Sequence, residues 1–137
     1  MLAVTERRDG WNPVQYRQFA AQRAEPFWDL VELLQSPPGS LERQGFERAV
    51  DLGCGSGELT IALADRLGVH DMVGVDTSDA MLATARQHGE ERDADVRFAL
   101  GDIATWTGRA DHDLVFANAS LHWVADHPAV LARWWEA

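Results

Sequence analysis

Several things that this chain lacks narrow its role before any motif is read. Its 137 residues include one cysteine, Cys54, so no internal disulfide can form, and a lone thiol fits a reducing compartment. No run approaches the ~18 uninterrupted apolar residues of a membrane-spanning helix. The start, Met1-Leu2-Ala3-Val4-Thr5-Glu6-Arg7-Arg8, has no apolar stretch behind a basic one, which argues against secretion. Basic charge is scarce: 12 Lys and Arg stand against 22 Asp and Glu, for a net charge of −10. Without a basic face to neutralise phosphates, non-specific binding to DNA or RNA is disfavoured. The expectation is a cytoplasmic protein whose partners include neither a membrane nor a nucleic acid. Neither Gly-x-Ser-x-Gly nor Gly-Lys-Ser/Thr occurs, which removes a hydrolase elbow and a phosphate-binding loop. His122 and His127 stand five apart with no cysteine or carboxylate cluster at ligand spacing, so no metal site is expected.

What is present describes one ordinary domain, with 46% hydrophobic and 25% charged residues. From Trp11 to Leu34 the pattern is helical, with Tyr16, Phe19, Ala20, Phe27, Leu30, Val31 and Leu34 at three- and four-residue steps. Pro26 is expected to kink or divide this region. Ser36-Pro37-Pro38-Gly39-Ser40 is the clearest loop. Beyond it the chain reads strand 49–52, helix 57–67, strand 72–76, helix 78–88, strand 96–100, strand 113–117 and helix 127–136. Gly68 and Gly89 are placed where helices stop, Ser78 and Asp126 where they begin, and Pro128 early in the last helix. Alternating strands and helices predict an α/β fold, a Rossmann-like, mostly parallel sheet with helices on both faces.

Strand Val50-Asp51-Leu52 breaks into Gly53-Cys54-Gly55-Ser56-Gly57, and Leu59, Ala62, Leu63 and Leu67 follow at helical spacing. Glycine has no Cβ and tolerates φ > 0, so such a turn lets backbone approach a ligand closely. Cys54 is read as a small packing residue within it. A second strand, Val73-Gly74-Val75-Asp76, ends in an acid about 20 residues after the turn, the spacing at which an acid meets a ribose hydroxyl in nucleotide-binding βαβ units. A dinucleotide fingerprint would need its third glycine at position 58, where Glu58 stands instead. Gly-x-Gly-x-Gly with a preceding acid, Asp51, favours S-adenosylmethionine over NAD, because a sulfonium asks for nearby carboxylates and a pyrophosphate for a bare helix N-terminus. Gly101-Asp102-Ile103 supplies an acid able to accept the exocyclic amine of adenine. Asn118-Ala119-Ser120-Leu121-His122-Trp123 follows strand 4, near the switch point where open α/β sheets hold ligands. Each feature has a plainer reading too: a tight turn without ligand, a helix cap at Asp76, an ordinary Gly-Asp turn at 101–102.

These residues resemble the class I S-adenosylmethionine-dependent methyltransferases. Trp11-Asn12-Pro13 with Tyr16, Phe19, Arg23 and Pro26, together with Phe116-Ala117-Asn118-Ala119-Ser120-Leu121-His122-Trp123, is more narrowly similar to trans-aconitate 2-methyltransferases. The resemblance implies one methyltransferase domain over 1–137, with 11–35 an N-terminal helical cap and 48–137 a cofactor-binding α/β half. It implies S-adenosyl-L-methionine as cofactor, with Gly53, Gly55 and Gly57 along its methionine and ribose portion and Asp51 orienting the turn or the amino group. Asp76 would hold the ribose hydroxyls, Asp102 and Ile103 would bracket adenine, and Asn118 would sit near the sulfonium. Tyr16 and Arg23 would close over the methionine end, and Trp11, His122 and Trp123 would line the acceptor pocket. The implied reaction moves a methyl group to an oxygen of a small carboxylic acid.

The family's sheet has seven strands and this chain supplies four, so the half is read as incomplete, the N-terminal part of that fold. In the usual order 3-2-1-4, strand 4 is then an exposed edge open to self-association. A non-catalytic cofactor-binding fragment or interaction module therefore stands as the alternative, with an NAD-binding oxidoreductase fragment, weakened by Glu58, as a third reading.

Overall fold

The computed structural model describes residues 14, 15, 18, 20–35 and 45–137. Helix α1 (Ala20–Gln35) precedes strand β1 (Arg48–Leu52), helix α2 (Glu58–Leu67), strand β2 (Asp71–Asp76) and helix α3 (Asp79–Glu91). Strands β3 (Val96–Leu100) and β4 (Leu114–Phe116), a 3-10 turn (Leu121–Trp123) and helix α4 (His127–Trp135) complete the order. The four strands form one parallel sheet in the order β3-β2-β1-β4. Among the described residues β4 is paired on one side only, as expected. No helix there is long and apolar enough to cross a membrane.

Side chains alternate across the sheet with the two-residue period of a strand. Ala49 and Met72 join Phe27 and Val31 of α1, Leu63 and Ala64 of α2, and Phe116 of β4 in one core cluster. Val50, Leu52 and Val75 face the other way, against Ile103, Val124, Val130 and Trp134. Each face is covered by helix, so the central strand β1 is buried almost throughout. Of the six tryptophans, Trp134 lies in the core and Trp135 is 92% exposed.

Local signals behave as the sequence suggests at most boundaries. Ser78 accepts from the Met81 N–H and Asp126 from the Ala129 N–H, two N-caps that occupy otherwise orphaned helix donors. Gly68 ends α2 at φ 68°. Three expectations need correction. Helix α1 runs continuously through Pro26, so the proline does not divide it. Gly89 does not stop α3, which continues to Glu91. Instead Asp93 turns left-handed, at φ 49°. The Ala94 and Asp93 amides donate to the Gly89 and Glu90 carbonyls, a Schellman motif with Asp in the place glycine usually takes. Gly89 is buried near the Phe98 ring, a packing position rather than a stop. Strand β4, Leu114–Phe116, is also shorter than the expected 113–117; before it, the Asp113 N–H still donates to the Arg48 carbonyl while its carboxylate accepts from the Glu47 and Arg48 amides.

Candidate functional site

The glycine turn is held by the ends of the strands beneath it. The Gly53 and Cys54 amides both donate to the Val75 carbonyl, at 2.8 and 3.0 Å, and Gly57 N–H closes the turn on the Cys54 carbonyl. Gly53, Gly55 and Gly57 all take positive φ, at 87°, 56° and 76°. Asp76 connects this turn to the next one. Its Oδ2 accepts from the Gly55 N–H and its Oδ1 from the Ser78 N–H, each at 2.9 Å. A carboxylate has about four lone-pair sites, so each oxygen retains capacity for one more donor.

These elements form one wall of a cavity of about 490 Å³, within the usual size of a small-molecule site. Gly53, Gly55, Asp76, Asp102, Ile103, Asn118, His122 and Trp123, all singled out from the sequence, line it together. Asp102 is exposed and uses Oδ1 to accept from the Ala104 N–H, while Ile103 packs beside it, only 8% exposed. Among the described residues the lining holds two carboxylates and neither Lys nor Arg. Such a wall suits a cationic, hydroxyl-rich ligand and opposes a pyrophosphate.

Two expected lining residues lie elsewhere. Gly57 is not among the lining residues; a Cβ there would fall 2.6 Å from Ala85 Cβ and 2.7 Å from Phe98 Cζ, so packing against α3 and β3 already requires a glycine. Asp51 is buried behind the turn and accepts from the Thr60 hydroxyl at 2.6 Å. Desolvation pushes its pKa up to about 6; the Thr60 bond opposes that, and nearby Asp76 adds to it. Burial likewise pushes the Cys54 thiol up, consistent with a packing role rather than a nucleophile. Trp11 and Tyr16 lie outside the described residues, and so does the side chain of Arg23, whose backbone belongs to α1.

The structure adds lining residues that the sequence reading did not single out, among them Leu59, Thr77, Met81 and Ser120. Met81 and Leu59 supply apolar surface from the first turns of α3 and α2. Ser120 is the more informative. Its hydroxyl donates to the Leu52 carbonyl at 2.7 Å, across 68 residues, and a Cβ on Gly53 would fall 2.4 Å from Ser120 Cβ. Gly53 is thus required by a close approach within the protein as well as by any ligand. Neighbouring Ala119 sits at φ 54°, a left-handed position rarely taken by alanine and the kind of strain found at ligand sites. Both residues belong to the Asn118–Trp123 segment that the sequence marks, but no local rule connects Ser120 with Gly53.

A family profile described as "Methyltransferase domain" matches residues 49–137. The trans-aconitate 2-methyltransferase of Delftia acidovorans is 45% identical over 126 residues, covering 90% of this chain and 43% of that protein. The enzyme of the same name from Deinococcus radiodurans is 43% identical, covering 92% and 44%. Among solved structures, an S-adenosylmethionine-dependent methyltransferase from Mesorhizobium loti superposes with a TM-score of 0.64 at 27% identity, over 80% of this chain and 47% of that one. A methyltransferase from Geobacter sulfurreducens, in complex with S-adenosyl-L-homocysteine, gives 0.59 at 28% identity over 80% and 43%. The chain spans less than half the length of the curated relatives it matches. A matching family profile, identity at this level across nine-tenths of the chain and a fold of the same kind mean that it belongs to the S-adenosylmethionine-dependent methyltransferases, with S-adenosylmethionine as its cofactor.

Proposed function

We propose that this chain is the cofactor-binding half of an enzyme that transfers the methyl group of S-adenosylmethionine to a carboxylate oxygen of a small polycarboxylic acid such as trans-aconitate. The observation that carries the cofactor part is Asp76, which pins the glycine turn yet keeps acceptor capacity toward the cavity. The donor set fits the group. Asp76 would hold the ribose hydroxyls, Asp102 and Ile103 would bracket adenine with Met81 and Leu59 beneath, and Gly53 and Gly55 would leave room for the methionine portion. When bound, the cofactor supplies an electrophilic methyl on a sulfonium. Asn118 would orient the reacting end, and the protein's part is alignment and exclusion of water. A carboxylate acceptor is already ionised at neutral pH, so no general base is assigned.

The acceptor is inferred from the names of the relatives and from His122 and Trp123, cavity-lining rings 4.8 Å apart and tilted by 40°, of which His122 offers an imidazole to an acid. Residues 11–35 would act as a helical cap over 48–137, bringing Trp11, Tyr16 and Arg23 to the methionine end, where a guanidinium suits the cofactor's carboxylate. The proposed setting is the cytoplasm.

A second reading, a cofactor-binding module without turnover, is favoured by one observation. Among the described residues strand β4 is an open edge beside a helix whose Trp135 and Leu131 are exposed, a surface on which two copies would associate. The discriminating experiment is transfer of radiolabelled methyl from S-adenosylmethionine to a panel of small mono-, di- and tricarboxylic acids, with sedimentation of the same sample. Label on a polycarboxylic acid supports the first reading. Cofactor binding without label on any acid, in a dimer, supports the second.

A further inference from the structure

The glycine turn has one anchor that the cofactor chemistry does not explain. Its first residues are tied to β2 through Val75 and Asp76. Its far side is tied to α3 by His88, whose Nδ1 lies 2.9 Å from the Ser56 carbonyl, 32 residues away in sequence. The other ring nitrogen, Nε2, lies 3.3 Å from Glu58 Oε1 in the first turn of α2, and the imidazole side chain is only 12% exposed. A carbonyl oxygen and an ionised carboxylate are acceptors only, so the ring can donate to both at once only as an imidazolium. A neutral ring would satisfy Ser56 and point a lone pair at Glu58.

We propose that His88 is a positioning residue for cofactor binding: as an imidazolium bridging Ser56 and Glu58, it fixes the glycine turn against α3, and Gly55 is held in its cavity-lining position between that bridge and Asp76. The proposal rests on the cofactor reading above. It explains why the position after Gly57 carries an acid. Glu58 also favours the helix N-terminus, where Gly57 offers no side-chain cap. The surroundings supply no competing partner for the ring among the contacts described. From α2 the facing charge is Glu58. On α3 itself, Glu91 is engaged by Gln87, and Arg86 donates to the Phe98 carbonyl. Strand β3 contributes the uncharged Phe98 ring to this layer. On the strand side of the turn stand Asp51 and Asp76, unchanged in every variant below.

The test is calorimetric titration of S-adenosylhomocysteine into the full chain between about pH 6 and about pH 8.5, for wild type, His88→Asn and Glu58→Gln. Asparagine places an amide donor near the Nδ1 position, keeping the Ser56 bond while removing titration and the ion pair. Glu58→Gln, on the surface, keeps the ring and removes the opposing charge. Wild-type affinity is expected to fall roughly fivefold across this range relative to either variant, the scale of a partly exposed charge-assisted pair. Nitrogen-15 spectra of the ring should show both nitrogens protonated at the acid end, with the Gly57 amide shift following that change in wild type and not in His88→Asn. Profiles in both variants that match wild type, or a single neutral tautomer at the acid end, would overturn the assignment of His88. Absence of binding by folded wild type at every pH would overturn the cofactor reading and this proposal together.

Discussion

On one side of the cavity, the turn from Gly53 to Gly57 is tied at successive positions: to Val75, to Asp76, to His88 and back to itself. On the other side, the segment from Asn118 to Val124 follows a three-residue edge strand, reaches the turn through the Ser120 hydroxyl, and leaves Trp123 68% exposed. The difference is one of connectivity. The turn leads from β1 into α2 and lies against the end of the neighbouring β2, whose carbonyl and carboxylate receive its amides. The lip follows β4, which among the described residues is paired with β1 alone. Rigid geometry therefore sits on the side proposed for the cofactor, and open apolar surface on the side proposed for the acceptor.

Breaking the pinned side should have the largest effect. Gly57→Ala forces a left-handed alanine, costing ~1–2 kcal/mol. It also overpacks Ala85 and Phe98, for about 1–3 kcal/mol more. Urea unfolding should show most of that combined loss, a large part of a normal domain's stability. An unchanged midpoint would mean that α3 and Phe98 can yield.

Asp51 gives a smaller effect of opposite sign. Its folded pKa, about 6, lies above the ordinary 3.8. A carboxyl raised in this way costs stability once it ionises: the penalty is absent below about pH 4 and complete above about pH 6. Asp51→Asn preserves an acceptor for Thr60 and should stabilise the fold above about pH 6 by roughly 1–3 kcal/mol. It should also flatten the stability profile between those limits. Lower stability of the variant on the alkaline side would show that the charge itself holds the turn.

The smallest stability effect belongs to the lip. Trp123 is largely exposed. Its replacement, Trp123→Ala, should shift stability by about 0.5 kcal/mol or less, as for other surface positions. Methyl transfer to an acid should nonetheless weaken several-fold through the acceptor's KM, with cofactor affinity little changed. A cofactor affinity that fell as far as the acceptor's would erase the division between floor and lip.

How much of this was legible in the sequence follows the same division. The strand order, the glycine turn and Asp76 were readable because each depends on local pattern: alternation, a break of glycines, an acid at a fixed distance. The packing of Gly57 against Phe98 and the burial of Asp51 behind the turn are not legible, because nothing local distinguishes a glycine that lines a cavity from one that meets a ring, or a carboxylate in a wall from one behind it. Gly89 misled for a related reason, since a glycine near a helix end signals a stop only when no neighbour takes the left-handed position, and here Asp93 does. The Ser120–Gly53 and His88–Ser56 contacts span 67 and 32 residues and involve residue types with no spacing rule, so only the folded chain brings them together.

The most direct test of the central claim is calorimetric titration of S-adenosylhomocysteine into the folded chain and into Asp76→Ala, with circular dichroism to confirm the fold of both. The account predicts a Kd on the order of micromolar for wild type, weakened by roughly 100-fold or more when the carboxylate is removed. Equal affinity in the two proteins, or no binding by folded wild type, would contradict it.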